Sequence, residues 1–162
     1  MDETAIEAAV IAELEALGAD YDVMDCDPAL ADTAAFCEAY GIDPEDSANC
    51  ILVASRKPEG IMALCLGLAT DRLDVNGAIR RHLGVRKISF APADLTAEVT
   101  GQLIGGVTPF GTPSDLAVLV DEKVLARDRV VVGGGSRSKK IHVAPEVFGR
   151  WERATVAPFA QT

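Results

Sequence analysis

Apolar positions recur at helical spacing at the start of the chain. Ile6, Val10, Leu14 and Leu17 fall on one face, and Gly18 supplies the left-handed stop that ends a helix. Thr4 and Glu7 stand at capping-box spacing, so the helix is expected to begin there. Tyr21 to Asp25 alternates weakly and reads as a short strand broken by Asp27-Pro28, after which Asp32 can cap a helix over 33–40 that Gly41 closes. Two aliphatic runs, Cys50 to Ala54 and Ile61 to Leu66, flank Arg56-Lys57-Pro58-Glu59-Gly60, and that turn chemistry predicts a hairpin whose strands are buried on both faces.

Further along, Asp74 can cap a helix to Leu83 before Gly84, Lys87 to Ala91 reads as a strand, and Pro92 suits the first turn of a helix to about Thr100. A loop rich in Gly, Pro and Thr over 101–114 follows. Strands are expected at 116–120, 129–132 and 141–143, with a helical turn over 121–126 that Asp121 can cap, a tight turn at Gly133-Gly134-Gly135, and a last short helix from Pro145 through Trp151. About seven strands interleaved irregularly with five helices predict an α+β domain with a mixed sheet, and a length of 162 residues fits one such domain over 1–162.

Composition narrows the class. Hydrophobic residues make up 49% and charged residues 25%, which is globular, and aromatics only 5%, so aliphatic side chains and alanine must fill the core. The net charge of −10 is unevenly spread: residues 1–50 hold fourteen of the twenty-five acids and none of the fifteen bases, so they carry −14 and the remainder +4. An acidic protein is a poor general binder of DNA, but a basic face on the later segment stays open, with Arg80, Arg81, Arg86 and Lys87 in one cluster and Arg137, Lys139 and Lys140 in another. Cys26, Cys37, Cys50 and Cys65 form no CxxC pair, and His82 and His142 lie far apart, so no zinc pattern and no metal site is expected and the thiols read as buried and reduced. The Met-Asp-Glu-Thr start lacks the basic and apolar regions of a secretory signal, and no apolar run approaches membrane-spanning length. A cytoplasmic protein without a membrane partner is the expectation.

Two glycine loops offer chemistry. In Leu103-Ile104-Gly105-Gly106-Val107-Thr108-Pro109-Phe110-Gly111, paired glycines let the backbone approach a ligand and aim N–H groups at an oxygen, although helix-to-strand loops use the same residues for turns alone. Gly133 to Arg137 matches neither a dinucleotide fingerprint nor a P-loop, so a nucleotide cofactor is not expected; it could hold one anionic group near Arg137, or be a hairpin turn with solvated cations.

The order of the pieces is more specific than either loop. An acidic helical opening, Gly41-Ile42-Asp43-Pro44-Glu45, an aliphatic strand, Asp71-Arg72-Leu73-Asp74, Gly105 to Gly111, Val120-Asp121-Glu122 and Gly133 to Arg137 occur in one succession over residues 4–158. That succession resembles the YbaK/ProX family of aminoacyl-tRNA deacylases, relatives of the editing domain inserted in bacterial prolyl-tRNA synthetases. The resemblance implies a compact single domain built on a curved mixed sheet, with a pocket for the 3′-aminoacyl end of tRNA. Its activity would be trans-editing hydrolysis of the ester on misacylated tRNA, with water as nucleophile and no cofactor. The partners it implies are aminoacyl-tRNA and, as a second candidate, an aminoacyl-tRNA synthetase. By the same resemblance Gly105, Gly106 and Pro109 would serve the catalytic step, with Val107, Thr108 and Phe110 lining the pocket and Gly134, Gly135, Ser136 and Arg137 forming another wall.

One residue departs from the family pattern. The family has a lysine at the start of the aliphatic strand, and here Asn49 precedes Cys50-Ile51-Leu52-Val53. A lysine can anchor a phosphate or polarise an ester, whereas an amide only orients groups by hydrogen bonds. Either Asn49 serves the catalytic step in its own way, or the fold is kept for binding without turnover. Cys50 has no histidine near it in the sequence to act as base, which argues against a thiolate nucleophile.

Overall fold

The computed structural model describes residues 2–161, and its elements follow the predicted order closely. Helix α1 (Glu3–Ala16) buries Ile6, Val10 and Leu14 along one stripe. Its N-cap is Asp2, whose carboxylate accepts from the Ala5 N–H at 2.8 Å, so the cap expected at Thr4 lies two residues earlier. Strand β1 (Tyr21–Asp25) and helix α2 (Thr33–Tyr40) fall where the sequence puts them, and Gly41 ends α2 in the left-handed region at φ 69°. Asp32 stands at the N-cap of α2 without making a cap bond, because its carboxylate is engaged by Arg137.

The hairpin forms between β2 (Ala48–Lys57) and β3 (Glu59–Leu68), antiparallel from Ala48↔Leu68. Asp74 caps a five-residue π turn, Val75–Ile79, that continues into α3 (Arg80–Leu83), and β4 (Lys87–Phe90) returns antiparallel to β2. Helix α4 (Ala93–Thr100) leads into the long glycine loop, which feeds β5 (Ala117–Asp121), a 3₁₀ turn, β6 (Val130–Gly133), β7 (Lys139–Val143) and α5 (Glu146–Arg150). Asp121 does more than cap that turn: Oδ2 accepts from Lys123 N–H, while Oδ1 accepts from the N–H groups of Phe159 and Ala160 at 2.9 Å and ties down the C-terminal segment.

An eighth strand, β8 (Ala154–Ala157), is added parallel to β5, so eight strands replace the expected seven. They do not form one sheet. β1-β7-β6 make a three-stranded antiparallel sheet, and β4-β2-β3-β5-β8 a mixed five-stranded one in which β3, β5 and β8 run parallel. Period-2 alternation explains the double burial: Leu66, Val118 and Val120 face the core shared with α1 and the smaller sheet, while Ala63, Cys65 and Leu119 face Val75, Ile79 and Phe159 on the other side. No helix of the described residues is long and apolar enough to cross a membrane.

Candidate functional site

A parallel bridge between Ser47 and Val131 joins the two sheets. Beyond it, residues 48–52 of β2 and 131–133 of β6 line a cavity of about 420 Å³. Phe36 and Thr33 of α2, Ala91 before α4 and Thr96 within it, and Ile104, Gly105 and Val107 of the glycine loop add to its wall.

Of the residues singled out in the sequence, Asn49, Gly105 and Val107 come together here. The Asn49 carbonyl accepts a hydrogen bond from the Thr33 hydroxyl, which fixes the amide with its NH₂ as the remaining donor. Gly105 has φ +93°, and a side chain there would meet Arg137. Gly106 does not line the cavity: its N–H closes a turn onto Leu103 O at 2.9 Å and is spent. The N–H groups of Gly105 and Val107, by contrast, have no acceptor among the described residues. Gln102, 3% exposed, holds the loop from inside, donating to Phe110 O at 2.8 Å and accepting from Thr108 N–H at 2.9 Å.

The rest of the expected wall lies elsewhere. Thr108, Pro109 and Phe110 are buried behind the loop, and Phe110 stacks on Phe148 and Trp151 in the main core because the loop turns its apolar end inward. From the second glycine turn the cavity is lined by Gly133, while Gly134, Gly135 and Ser136 pack against other backbone or α1. The Ser136 hydroxyl donates to Glu7, and Gly135 bonds the first loop in both directions, its N–H to Gly106 O at 2.7 Å and its O from Leu103 N–H at 2.9 Å. Arg137 is a clasp: its guanidinium donates to Pro28 O, Ile104 O and the Asp32 carboxylate, pinning the cavity rim. Cys50 lines the cavity, but burial pushes its thiol well above the ordinary range, so it is protonated at neutral pH and a poor nucleophile.

Lys140, which the sequence groups with Arg137 and Lys139 in a candidate basic face, is buried instead. It is 6% exposed, lines the same cavity, and donates to Ala31 O at 2.6 Å and Gly105 O at 3.0 Å, with its ammonium over the Phe36 ring at 5.4 Å. Burial lowers its pKa.

Two more cavities share lining residues in turn. Asn49 and Ile51 also line a second, of about 420 Å³, with Asp71, Arg72, Asn76 and the exposed ring of Phe90; Asn76 in turn lines a third, with Arg56, Arg80, Arg86 and Lys87. The acids of the first fifty residues pair with late cations, Asp20 and Asp22 with Arg129, Asp25 with Lys139, Asp32 with Arg137, Glu13 with Arg153 and Asp46 with Arg127. Arg137 and Lys139 are thus neutralised, whereas no basic residue from Arg56 to Lys87 has an ion-pair partner among the described residues.

Comparison with known proteins gives the same frame. The model of the aminoacyl-tRNA editing domain matches residues 27–150. Among solved structures, hypothetical protein APE2540 superposes with a TM-score of 0.84 at 22% identity, covering 94% of this chain and 99% of that one. A "putative trans-editing enzyme for prolyl tRNA synthetase" superposes at 0.81 and 22% identity, covering 100% and 99%. A "putative signal transduction protein" from Marinobacter aquaeolei VT8 matches at 0.62 and 18% identity over 94% of this chain but 30% of its own, so the fold also occurs as one part of a longer chain.

Proposed function

The chain belongs to the aminoacyl-tRNA editing domain family, and from that premise we propose that it is a trans-acting hydrolase of the ester on misacylated tRNA. The observation that carries the reading is the cavity itself: Asn49, the buried Lys140, and Gly105 and Val107, whose N–H groups have no acceptor among the described residues, all line one space of about 420 Å³. Ester hydrolysis moves negative charge onto the carbonyl oxygen, and fixed donors in a site partly closed to water stabilise that charge without having to reorganise. Water serves as the nucleophile. Of the glycine loop, Gly105 and Val107 supply the donors, while Gly106 and Pro109 hold the loop that presents them.

The line of cavities supports a path for the tRNA end. The aminoacyl group occupies the first cavity, and the terminal base lies in the second, where the Phe90 ring, 56% exposed, offers a stacking face. The acceptor stem runs over the unpaired cations of the third. Reversing two of these charges, Arg86→Glu with Lys87→Glu, is expected to raise KM for charged tRNA about tenfold at ~0.1 M salt and to flatten the dependence of log KM on log salt by about one unit per lost phosphate contact. Steady-state assays across a salt series check this; an unchanged salt slope would place the tRNA on another face.

Incubation with tRNA charged with a panel of amino acids tests the activity: faster ester loss for at least one of them is expected. Tight binding with no acceleration for any would identify the protein as a noncatalytic member of the fold, the alternative that Asn49 raises.

A further inference from the structure

Lys140 is a buried cation without a counter-ion. Among the described residues no carboxylate lies within ion-pair distance of it; Asp32, which faces it from the cavity rim, is engaged by Arg137. Of the three N–H donors of its ammonium, one goes to Ala31 O and one to Gly105 O. The third has no acceptor among the described residues, and the side chain borders the cavity that Asn49 also lines. Burying a charge in this way is costly unless the group meets opposite charge in use. The strand pattern makes the placement deliberate: in β7, Lys139 projects outward to pair with Asp25, and its neighbour Lys140 is therefore directed inward, opposite Gly133 of β6 and Met24 of β1. Gly133 has no side chain to compete for the space beside it.

We propose that Lys140 is the cation that stabilises the oxygen on which charge develops, delivered from β7 where the family pattern supplies one from position 49. The inference rests on the hydrolase reading. Water oxygen adds to the ester carbonyl carbon, and the C=O π pair moves onto the carbonyl oxygen, which accepts from the free N–H of Lys140 and from the loop amides. When that pair returns, the bond to the ribose 3′-oxygen breaks, the 3′-oxygen takes one proton of the water, and the second proton leaves to solvent from the freed carboxylic acid. Lys140 keeps its proton throughout, so the charge is available at every stage of the addition.

The test uses the full chain in single-turnover deacylation with wild type, Lys140→Met, Lys140→Arg and the double variant Asn49→Lys/Lys140→Met. Lys140→Met is expected to lower the maximal rate about 100-fold, the loss typical of one removed oxyanion donor, with the half-saturating tRNA concentration within about threefold of wild type. Moving the amine back across the cavity in the double variant is expected to recover at least about tenfold of that loss, which a merely structural role for Lys140 would not allow. A Lys140→Met rate within about threefold of wild type, or a folded double variant no faster than Lys140→Met, overturns the proposal. Should Lys140→Met fail to fold, or should wild type hydrolyse none of the panel so that the hydrolase reading itself fails, the Nζ resonance of Lys140 in ¹⁵N-lysine-labelled wild type decides, assigned by its loss in Lys140→Arg. Titration with 3′-alanylamino-3′-deoxyadenosine, a stable amide in place of the ester, moves that resonance if Lys140 meets the acyl oxygen. An unmoved resonance at saturating amide overturns the contact.

Discussion

Phe110→Ala is expected to destabilise the protein by about 3–5 kcal/mol, the usual cost of emptying a large buried aromatic site. Phe110 is fully buried, with its ring stacked on Trp151 at 5.3 Å and on Phe148 at 5.6 Å between centroids. Val10 and Leu14 of α1 and Val118 and Val120 of β5 belong to the same cluster, so the lost ring leaves a void bounded by several elements that cannot collapse together. Urea unfolding with wild type and variant measures the cost directly. Because the residue lies in the core and not in the cavity wall, KM for charged tRNA is expected to stay unchanged under conditions where the variant remains folded. A raised KM with no loss of stability would return Phe110 to the substrate.

Gly106→Ala is expected to cost about 3 kcal/mol, through strain and not through a void. A methyl group at Gly106 would sit 2.1 Å from Ser136 O and 2.6 Å from Ser136 C, both backbone atoms that no rotamer change can move. The two glycine loops would have to separate, breaking the bond from Gly135 N–H to Gly106 O and with it the placement of Gly105 and Val107. Deacylation is therefore expected to fall with stability, by more than tenfold even at temperatures where the variant is folded. Gly60→Ala is the control, since its Cβ would meet open space and only the positive φ is strained, which costs about 1 kcal/mol. Equal effects at the two glycines in urea titrations would show that close approach of the loops is not what Gly106 provides.

These residues also show what the sequence makes legible. Local signals carried far: Gly41, Gly84 and Gly101 end their helices in the left-handed conformation, Asp74 and Asp121 cap, and the hairpin of β2 and β3 follows from two aliphatic runs about a turn. What the sequence does not display is pairing at a distance. β8 is four residues, Ala154–Ala157, with too little pattern to stand out, and it is a strand because β5 offers it a parallel edge. The division into two sheets depends on β7 choosing β1 and β6 as neighbours, which no local pattern encodes.

The site was legible to the same degree. Asn49, Gly105 and Val107, which the motifs single out, line one cavity, because the glycine loop and the start of the aliphatic strand keep their order along the chain. Phe110 lies in the core and not in the expected pocket wall, because an irregular loop gives no period from which to tell inward from outward. The sequence places Lys140 in a basic cluster but does not show its burial: in Lys139-Lys140 both neighbours carry the same charge, so hydropathy cannot say which faces in, and the register against β1 and β6 decides. The charge asymmetry between the first fifty residues and the rest is an incomplete guide, since those acids neutralise late cations such as Arg137 and Lys139 and leave the bases from Arg56 to Lys87, with the buried Lys140, without an ion-pair partner among the described residues.

Whether this cavity hydrolyses an aminoacyl ester is decided by turnover in H₂¹⁸O with protein far below tRNA in concentration. For at least one amino acid the ester is expected to be lost completely, over many turnovers per protein molecule, with ¹⁸O in the carboxylate of the released amino acid and none at the tRNA 3′-oxygen. Ester loss at the uncatalysed rate for every amino acid tried, with charged tRNA nonetheless bound, would contradict it.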